Sequence, residues 1–436
     1  CSFFVVVHST CQHHYHWVRS MLNVMMQSRW CFFHTPRSGT STSSGLRHLR
    51  SLGRASSRPS SSVGSLFLYK KKRSAAAAIL RVASSSTKTQ QQAVSPIDVA
   101  PGSLLEQLAN MTVLSIDSGD LNVVRAYAQT GFITDATTNP LFVSQAGLRG
   151  EGEYLEFVNE AVSYAKANAG SMSDDEVVNL AIDKLSVNLG LALMDIIDGN
   201  VSTEVDIRLS FDADASVERA RRLIKLYEEA GCANAKGRVL VKLAGTWEGI
   251  QAARVLEAEG IRTNITLVFS EAQAKAAGDA KAHLISPFPG RVLEWSKVEY
   301  NVDAYTQDED PGVVMVRNAQ TFYNAHAMNT INMPASWRSS TGTEPLDQIL
   351  ALAGVDRMTI PPPLLESLAS TTADLPRRVE TSRSSTPAGS RTSMSEREFR
   401  YAMCVDGAAN DKLAAGIRSF IGDTEKLTGV IEAQVG

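Results

Sequence analysis

The chain has 436 residues, 44% hydrophobic and 20% charged, which fits a folded globular protein and excludes a wholly disordered or collagen-like one. Its net charge of −3 is a cancellation: residues 1–97 carry 13 Lys/Arg and no Asp or Glu, leaving 30 of the 43 basic residues against all 46 acidic ones, a net of −16. An acidic body does not suit nucleic-acid binding, which draws its affinity from neutralised phosphates, and no apolar run reaches about 18 residues, so no membrane span is expected.

The first segment stands apart. Six of the eight histidines (His8, His13, His14, His16, His34 and His48) fall in it, and His13-His14-Tyr15-His16 imitates a metal tract without a carboxylate or partner ligand. Met21, Met25 and Met26 are candidate start residues. From there to about residue 95 the chain is Ser- and Arg-rich and free of acids, the composition of a transit peptide for a plastid or mitochondrion. A disordered tail on a cytoplasmic protein is the alternative. The expected organisation is therefore an extension over 1–97 and one domain over 98–436. The five cysteines are scattered without CxxC spacing, so neither a disulfide framework nor a zinc site is expected.

The body alternates apolar runs with helical patterns. The expected strands are Val113–Asp117, Phe132–Asn139, Val201–Asp206, Arg238–Ala244, Thr263–Ser270, His283–Phe288, Thr330–Trp337 and Arg357–Pro361. Between them lie helices: after Asp212, a suitable N-cap, Val217, Ala220, Ile224 and Tyr227 recur on one face, and Gly231 is a suitable stop. Eightfold alternation with near-continuous apolar strands predicts an α/β fold, a (β/α)₈ TIM barrel. Pro289–Asn329 reads as a long excursion and Arg377–Ser395 as an exposed loop, with added C-terminal helices over Glu396–Met403 and Asp411–Glu432 wrapping the barrel.

Side-chain parity selects the chemistry. Val239, Val241 and Leu243 share a helix-facing side, and Leu240, Lys242 and Ala244 face the other way. Likewise Ile265, Leu267 and Phe269 face helices, while Asn264, Thr266 and Ser270 point to the barrel axis. Lys242 is an ammonium in an apolar strand, where burial favours the nucleophilic amine able to form a Schiff base with a ketone. A snorkelling or salt-bridged lysine is the plain alternative. Asp117 and Glu204 end apolar strands and could divide acid and base roles; Asp120 and Asp206 read equally well as caps or salt-bridge partners. Asn139 could hold substrate hydroxyls or be a turn residue before proline. Arg291 and Arg338 follow late strands, where barrels often bind phosphate, although a solvated surface arginine is the better reading of either taken alone. Trp337 reads as packing. Phosphate loops of the GxGxxG or GxxxxGK[ST] kind are absent, so neither dinucleotide nor ATP is implied.

These residues lie in motifs that resemble the transaldolases, class I Schiff-base enzymes of the pentose phosphate pathway. Thr134-Asp135-Ala136-Thr137-Thr138-Asn139-Pro140 is similar to their first signature, and Val239-Leu240-Val241-Lys242-Leu243-Ala244-Gly245-Thr246-Trp247-Glu248-Gly249-Ile250 to the lysine signature. Ser202–Asp206, Asn264–Leu267 and Ile285–Phe288 match in order and spacing, and the likeness runs from about Leu104 to Leu427.

The resemblance implies that Lys242 attacks C2 of sedoheptulose 7-phosphate or fructose 6-phosphate. Glu204 then assists dehydration through a water held with Thr266, and Asp117 moves the C4 hydroxyl proton. Asn139, Asn264 and Ser286 would hold the three-carbon unit, Phe288 would stand where a releasing aldolase tends to have tyrosine, and Arg291, Ser336 and Arg338 would hold phosphate. Glyceraldehyde 3-phosphate and erythrose 4-phosphate complete the implied partners. No metal or organic cofactor is implied, because the protonated imine is the electron sink. A homodimer is among the assemblies left open.

Several positions depart from the family pattern. Pro334 stands for a usual glycine, Trp337 for phenylalanine and Gly245 for serine; Ser339–Pro345 is slightly expanded, and Pro361-Pro362-Pro363 is unusually stiff. Three readings compete: a fructose 6-phosphate aldolase, which Phe288 and Glu204 argue against; a barrel kept as a scaffold; and nucleic-acid binding through the basic tail.

Overall fold

The computed structural model describes residues 97–389 and 392–436; the expectations placed on residues 1–96, including leader, start residue and histidine tract, lie outside the described residues. The chain runs α1 (Leu104–Ala109), β1 (Val113–Asp117), α2 (Leu121–Ala128), β2 (Ile133–Thr137), α3 (Pro140–Leu148), α4 (Gly152–Ala167), α5 (Asp174–Met194) and β3 (Val201–Glu204). It continues with α6 (Ala213–Glu229), α7 (Ala235–Arg238), β4 (Val239–Ala244), α8 (Trp247–Ala258), β5 (Thr263–Val268), α9 (Glu271–Asp279), β6 (Leu284–Pro287), α10 (Pro289–Glu299) and α11 (Pro311–Ala325). Then follow β7 (Ile331–Asn332), α12 (Asp347–Ala351), β8 (Arg357–Ile360), α13 (Pro362–Ser370), α14 (Glu396–Val405) and α15 (Gly407–Val435).

All pairings are parallel, in the order β7-β6-β5-β4-β3-β2-β1-β8. The Thr359 amide donates to the Pro334 carbonyl at 3.2 Å and links the two ends of that sheet. This is the expected (β/α)₈ barrel, with α14 and α15 added behind it. Helix α5 is long and apolar enough to cross a membrane by length and composition, but it is a core helix here, packed on α4, α6 and β3.

The parity reading holds in β4. Val239, Val241 and Leu243 join the main core under the helices, whereas Leu240 joins a separate cluster with Leu284 and Met333 that fills the barrel interior. Asp212 caps α6, its side chain accepting from the Ala215 amide at 2.9 Å.

Two expectations need correction. Strand β7 covers only Ile331–Asn332 rather than Thr330–Trp337. Alternate amides still bond β6, Met333 to Ile285 and Ala335 to Pro287, but Pro334 has no N–H to give β8. Ser270 does not reach the axis. A register shift between Ile265 and Val268, with Leu267 at φ 56°, breaks the alternation, and Ser270 instead caps α9 by accepting from the Gln273 amide. Pro289–Asn329 is the expected long excursion between β6 and β7, and it holds α10 and α11, the latter capped by Asp310 with Pro311 in its first turn. Among the described residues Arg377–Ser395 is the expected loop, mostly exposed, and it is anchored at a few points. Arg383 donates to the carbonyls of Met328 and Thr330 and pairs with Asp356 at 2.9 Å, and Arg377 donates to the carbonyl of Gly354.

Candidate active site

The strands end in a cleft of about 220 Å³ lined by Asp117, Thr137, Asn139, Lys242, Thr266, Ser286, Phe288, Arg291 and Ser336, with Ser419, Phe420 and Asp423 of α15 above them. It lies at the C-terminal ends of the strands, where barrels carry their chemistry.

Lys242 sits fourth in β4, whose six residues are all buried. Register pairing sets it beside Glu204, the last residue of β3, and Glu204 Oε2 lies 3.1 Å from Lys242 Nζ. The amine also donates to the Thr138 carbonyl at 3.3 Å and sits 5.7 Å from the Phe420 ring centre. Burial pushes the Glu204 carboxyl above the usual carboxylate range, with Lys242 pulling the other way. Glu204 Oε1 and Thr266 Oγ1 are buried and have no hydrogen-bond partner among the described residues, as expected of groups reserved for a reaction.

Asp117 ends β1. Its carboxyl accepts from Thr137 Oγ1 at 3.1 Å, and Thr137 in turn shares a hydrogen bond of 2.7 Å with Thr359. Burial raises its proton affinity more than Lys242 and Thr137 lower it. Asn139 directly precedes α3. Its Oδ1 caps α3 by accepting from the Phe142 amide at 3.0 Å, and the residue lines the cleft.

The remaining positions divide. Asn264 is fully buried under the cleft rather than on its wall: Nδ2 donates to Ser202 Oγ at 3.1 Å, and Oδ1 accepts from Ser286 Oγ at 2.8 Å. Phe288 packs edge-on to Phe269 at 5.7 Å and shows one face to the cleft. Arg291, in the first turn of α10, is exposed at the rim, and Ser336 lines the cleft at φ 62°. Arg338 is not on the lining. Its Nε pairs with Glu294 Oε1 at 2.5 Å and its Nη1 donates to the Trp337 carbonyl. Trp337 is buried and donates to the Thr359 carbonyl at 2.8 Å, a packing role.

Asp120 and Asp206 take the plain reading. Asp120 caps α2 and pairs with Arg149, and Asp206 pairs with Arg208. Sequence reasoning missed Ser419, Phe420 and Asp423. The signal lay in the apolar spacing of α15, Leu413-Ile417-Phe420-Thr424-Leu427, which continues into a helix with no strand of its own.

With this geometry in place, comparison with known proteins is informative. The family described as Transaldolase/Fructose-6-phosphate aldolase matches residues 114–431. A protein named transaldolase from Aeromonas salmonicida is 46% identical over 335 residues, covering 76% of this chain and 99% of that relative. The transaldolase of Mannheimia succiniciproducens is 43% identical over 334 residues, with the same coverage, and one from Haemophilus influenzae is also 43% identical. The matched span holds every barrel strand from the second residue of β1 onward and most of α15. The chain therefore belongs to the transaldolase/fructose-6-phosphate aldolase family.

Proposed function

We propose that the chain is a transaldolase that moves a dihydroxyacetone unit from sedoheptulose 7-phosphate to glyceraldehyde 3-phosphate, giving erythrose 4-phosphate and fructose 6-phosphate. The observation that carries this reading is one buried amine, Lys242, with one carboxylate 3.1 Å away and a second on the same cleft.

The Lys242 amine adds to the C2 ketone. Glu204, its proton affinity raised by burial, delivers the proton that lets the carbinolamine lose water. Asp117 takes the C4 hydroxyl proton as the C3–C4 bond breaks; the electrons flow into the iminium, and the aldose phosphate leaves. The retained enamine adds to the second aldehyde, Asp117 returns the proton, and hydrolysis frees the product. Like Glu204, Asp117 has a raised proton affinity, which suits a group that must take and give back one proton. Asn139 and Ser286 suit the hydroxyls of the three-carbon unit, Asn264 fixing Ser286 from below. Arg291 and Ser336 suit the phosphate, and Arg338 would join them on leaving Glu294.

The test is borohydride reduction in the presence of fructose 6-phosphate, with mass mapping, alongside a coupled assay of transfer. A three-carbon adduct on Lys242 and loss of transfer in Lys242→Ala are expected. An adduct elsewhere, or none, removes the reading. The basic, acid-free segment supports import into a plastid or mitochondrion, which a fluorescent fusion of residues 21–97 would test.

A further inference from the structure

We propose that Phe420 of α15 is a roof residue that withholds water from the three-carbon unit on Lys242 and so decides between transfer and release; this rests on the transaldolase reading above. Once the first aldose has left, the enamine has two fates. It can attack an acceptor aldehyde, or its carbanionic carbon can take a proton, after which water adds to the imine carbon. The carbinolamine then collapses to free dihydroxyacetone and free Lys242. The second route consumes only water and a proton, so a transferase must keep both from the adduct while it waits.

The strand ends supply polar groups on nearly every side of the amine: Asp117, Asn139, Glu204, Thr266 and Ser286. Leu141, Phe288 and Phe420 are the large apolar side chains on the cleft lining, and the Phe420 ring faces the amine with its centre 5.7 Å from Nζ. A phenyl ring neither carries a proton nor orders water toward the imine, and its face favours the cationic iminium.

Helix α15 is firmly seated over this point. Gly416, one turn before Phe420, lies against Leu267 so closely that a methyl group there would come within 2.8 Å of its side chain. Leu267 itself is buried and sits at φ 56° within the irregular stretch of β5. Ile417 and Leu427, on either side of Phe420, are buried. The roof is therefore held by packing, and its position follows from the bulge beside Thr266.

The experiment compares wild type, Phe420→Ala and Phe420→Leu. With fructose 6-phosphate alone, free dihydroxyacetone is measured; with erythrose 4-phosphate added, sedoheptulose 7-phosphate is measured; borohydride trapping on Lys242 is run throughout. Phe420→Ala should raise the ratio of release to transfer about tenfold, equivalent to about 1.4 kcal/mol of barrier, with the adduct still trapped, and Phe420→Leu should raise it less. An unchanged ratio in both variants, with trapping intact, overturns the proposal. So does loss of the adduct in Phe420→Ala together with a wild-type ratio in Phe420→Leu, since Phe420 would then only hold the fold. No adduct in wild type removes the transaldolase reading itself, a separate and recognisable failure.

Discussion

Glu204 and Lys242 are register partners on neighbouring strands, and their side chains meet 3.1 Å apart inside the barrel mouth. A buried ion pair of this kind adds little to stability, because desolvating both charges offsets their attraction. Its value lies in proton exchange. Glu204→Gln keeps the shape and removes the exchangeable proton, so the rate of borohydride-trappable adduct formation should fall about 10²- to 10⁴-fold. Trapping at the wild-type rate would show that another group carries that proton.

Asp117 makes a prediction of opposite sign for stability and activity. Its carboxyl is raised above its ordinary 3.8 by burial, so the folded state prefers the protonated form. That preference stabilises the fold below the unfolded value and is lost as pH rises through the folded one. Asp117→Asn removes this loss. The variant should be more stable than wild type at neutral pH, and the gap should close toward pH 3.8. Transfer should drop at least about 10²-fold. A variant less stable than wild type at neutral pH would contradict the assignment of burial as the dominant cause.

The phosphate side of the cleft depends on a close approach. The first turn of α10 touches the Ser336–Arg338 segment at Gly290, where an added methyl would collide with the Ser336 carbonyl and come within 2.7 Å of Arg338 Cγ. The carbonyl is backbone and cannot step aside, so Gly290→Ala must displace the segment. A loss of about 1–3 kcal/mol in stability is expected. KM for the sugar phosphate should rise about tenfold, with a smaller change in kcat. If KM holds while stability falls, Ser336 does not contact the phosphate.

The elements legible in the sequence are those fixed by local pattern. Strand β4 was readable because an unbroken apolar run with period-two sides leaves only one way to place Lys242, and Asp212 announced α6 by its capping chemistry. The short β7 was also within reach, since Pro334 cannot serve a strand on both edges. What escaped depends on contacts distant in sequence. Asn264 has the right parity for the lumen, yet a bond to Ser202 and one from Ser286 hold it beneath the cleft. Arg338 has the right place in the chain, but Glu294 on α10 holds its guanidinium. Phe420 looks like any apolar residue on a helix until α15 docks across the strand ends, where Gly416 meets Leu267 from a distant part of the chain.

His283, just ahead of β6, carries the acid sensitivity expected of the fold rather than of the site. Its backbone amide donates to Glu257 at 2.8 Å, and its Nε2 is buried with no hydrogen-bond partner among the described residues. Burial, reinforced by the positive charges of Arg262 and Arg357, pushes its imidazole down from 6.5 to about 4. A depressed histidine stabilises the fold fully above the unfolded value, and that contribution is lost as pH falls from 6.5 toward 4, because the unfolded chain takes the proton first. The loss should be on the order of 2 kcal/mol once solvent screening is allowed for. His283→Phe keeps the ring and removes the titration, so its denaturation midpoint in urea should fall less than that of wild type between neutral pH and about pH 5. Parallel losses in the two proteins would show that His283 is not the group responsible.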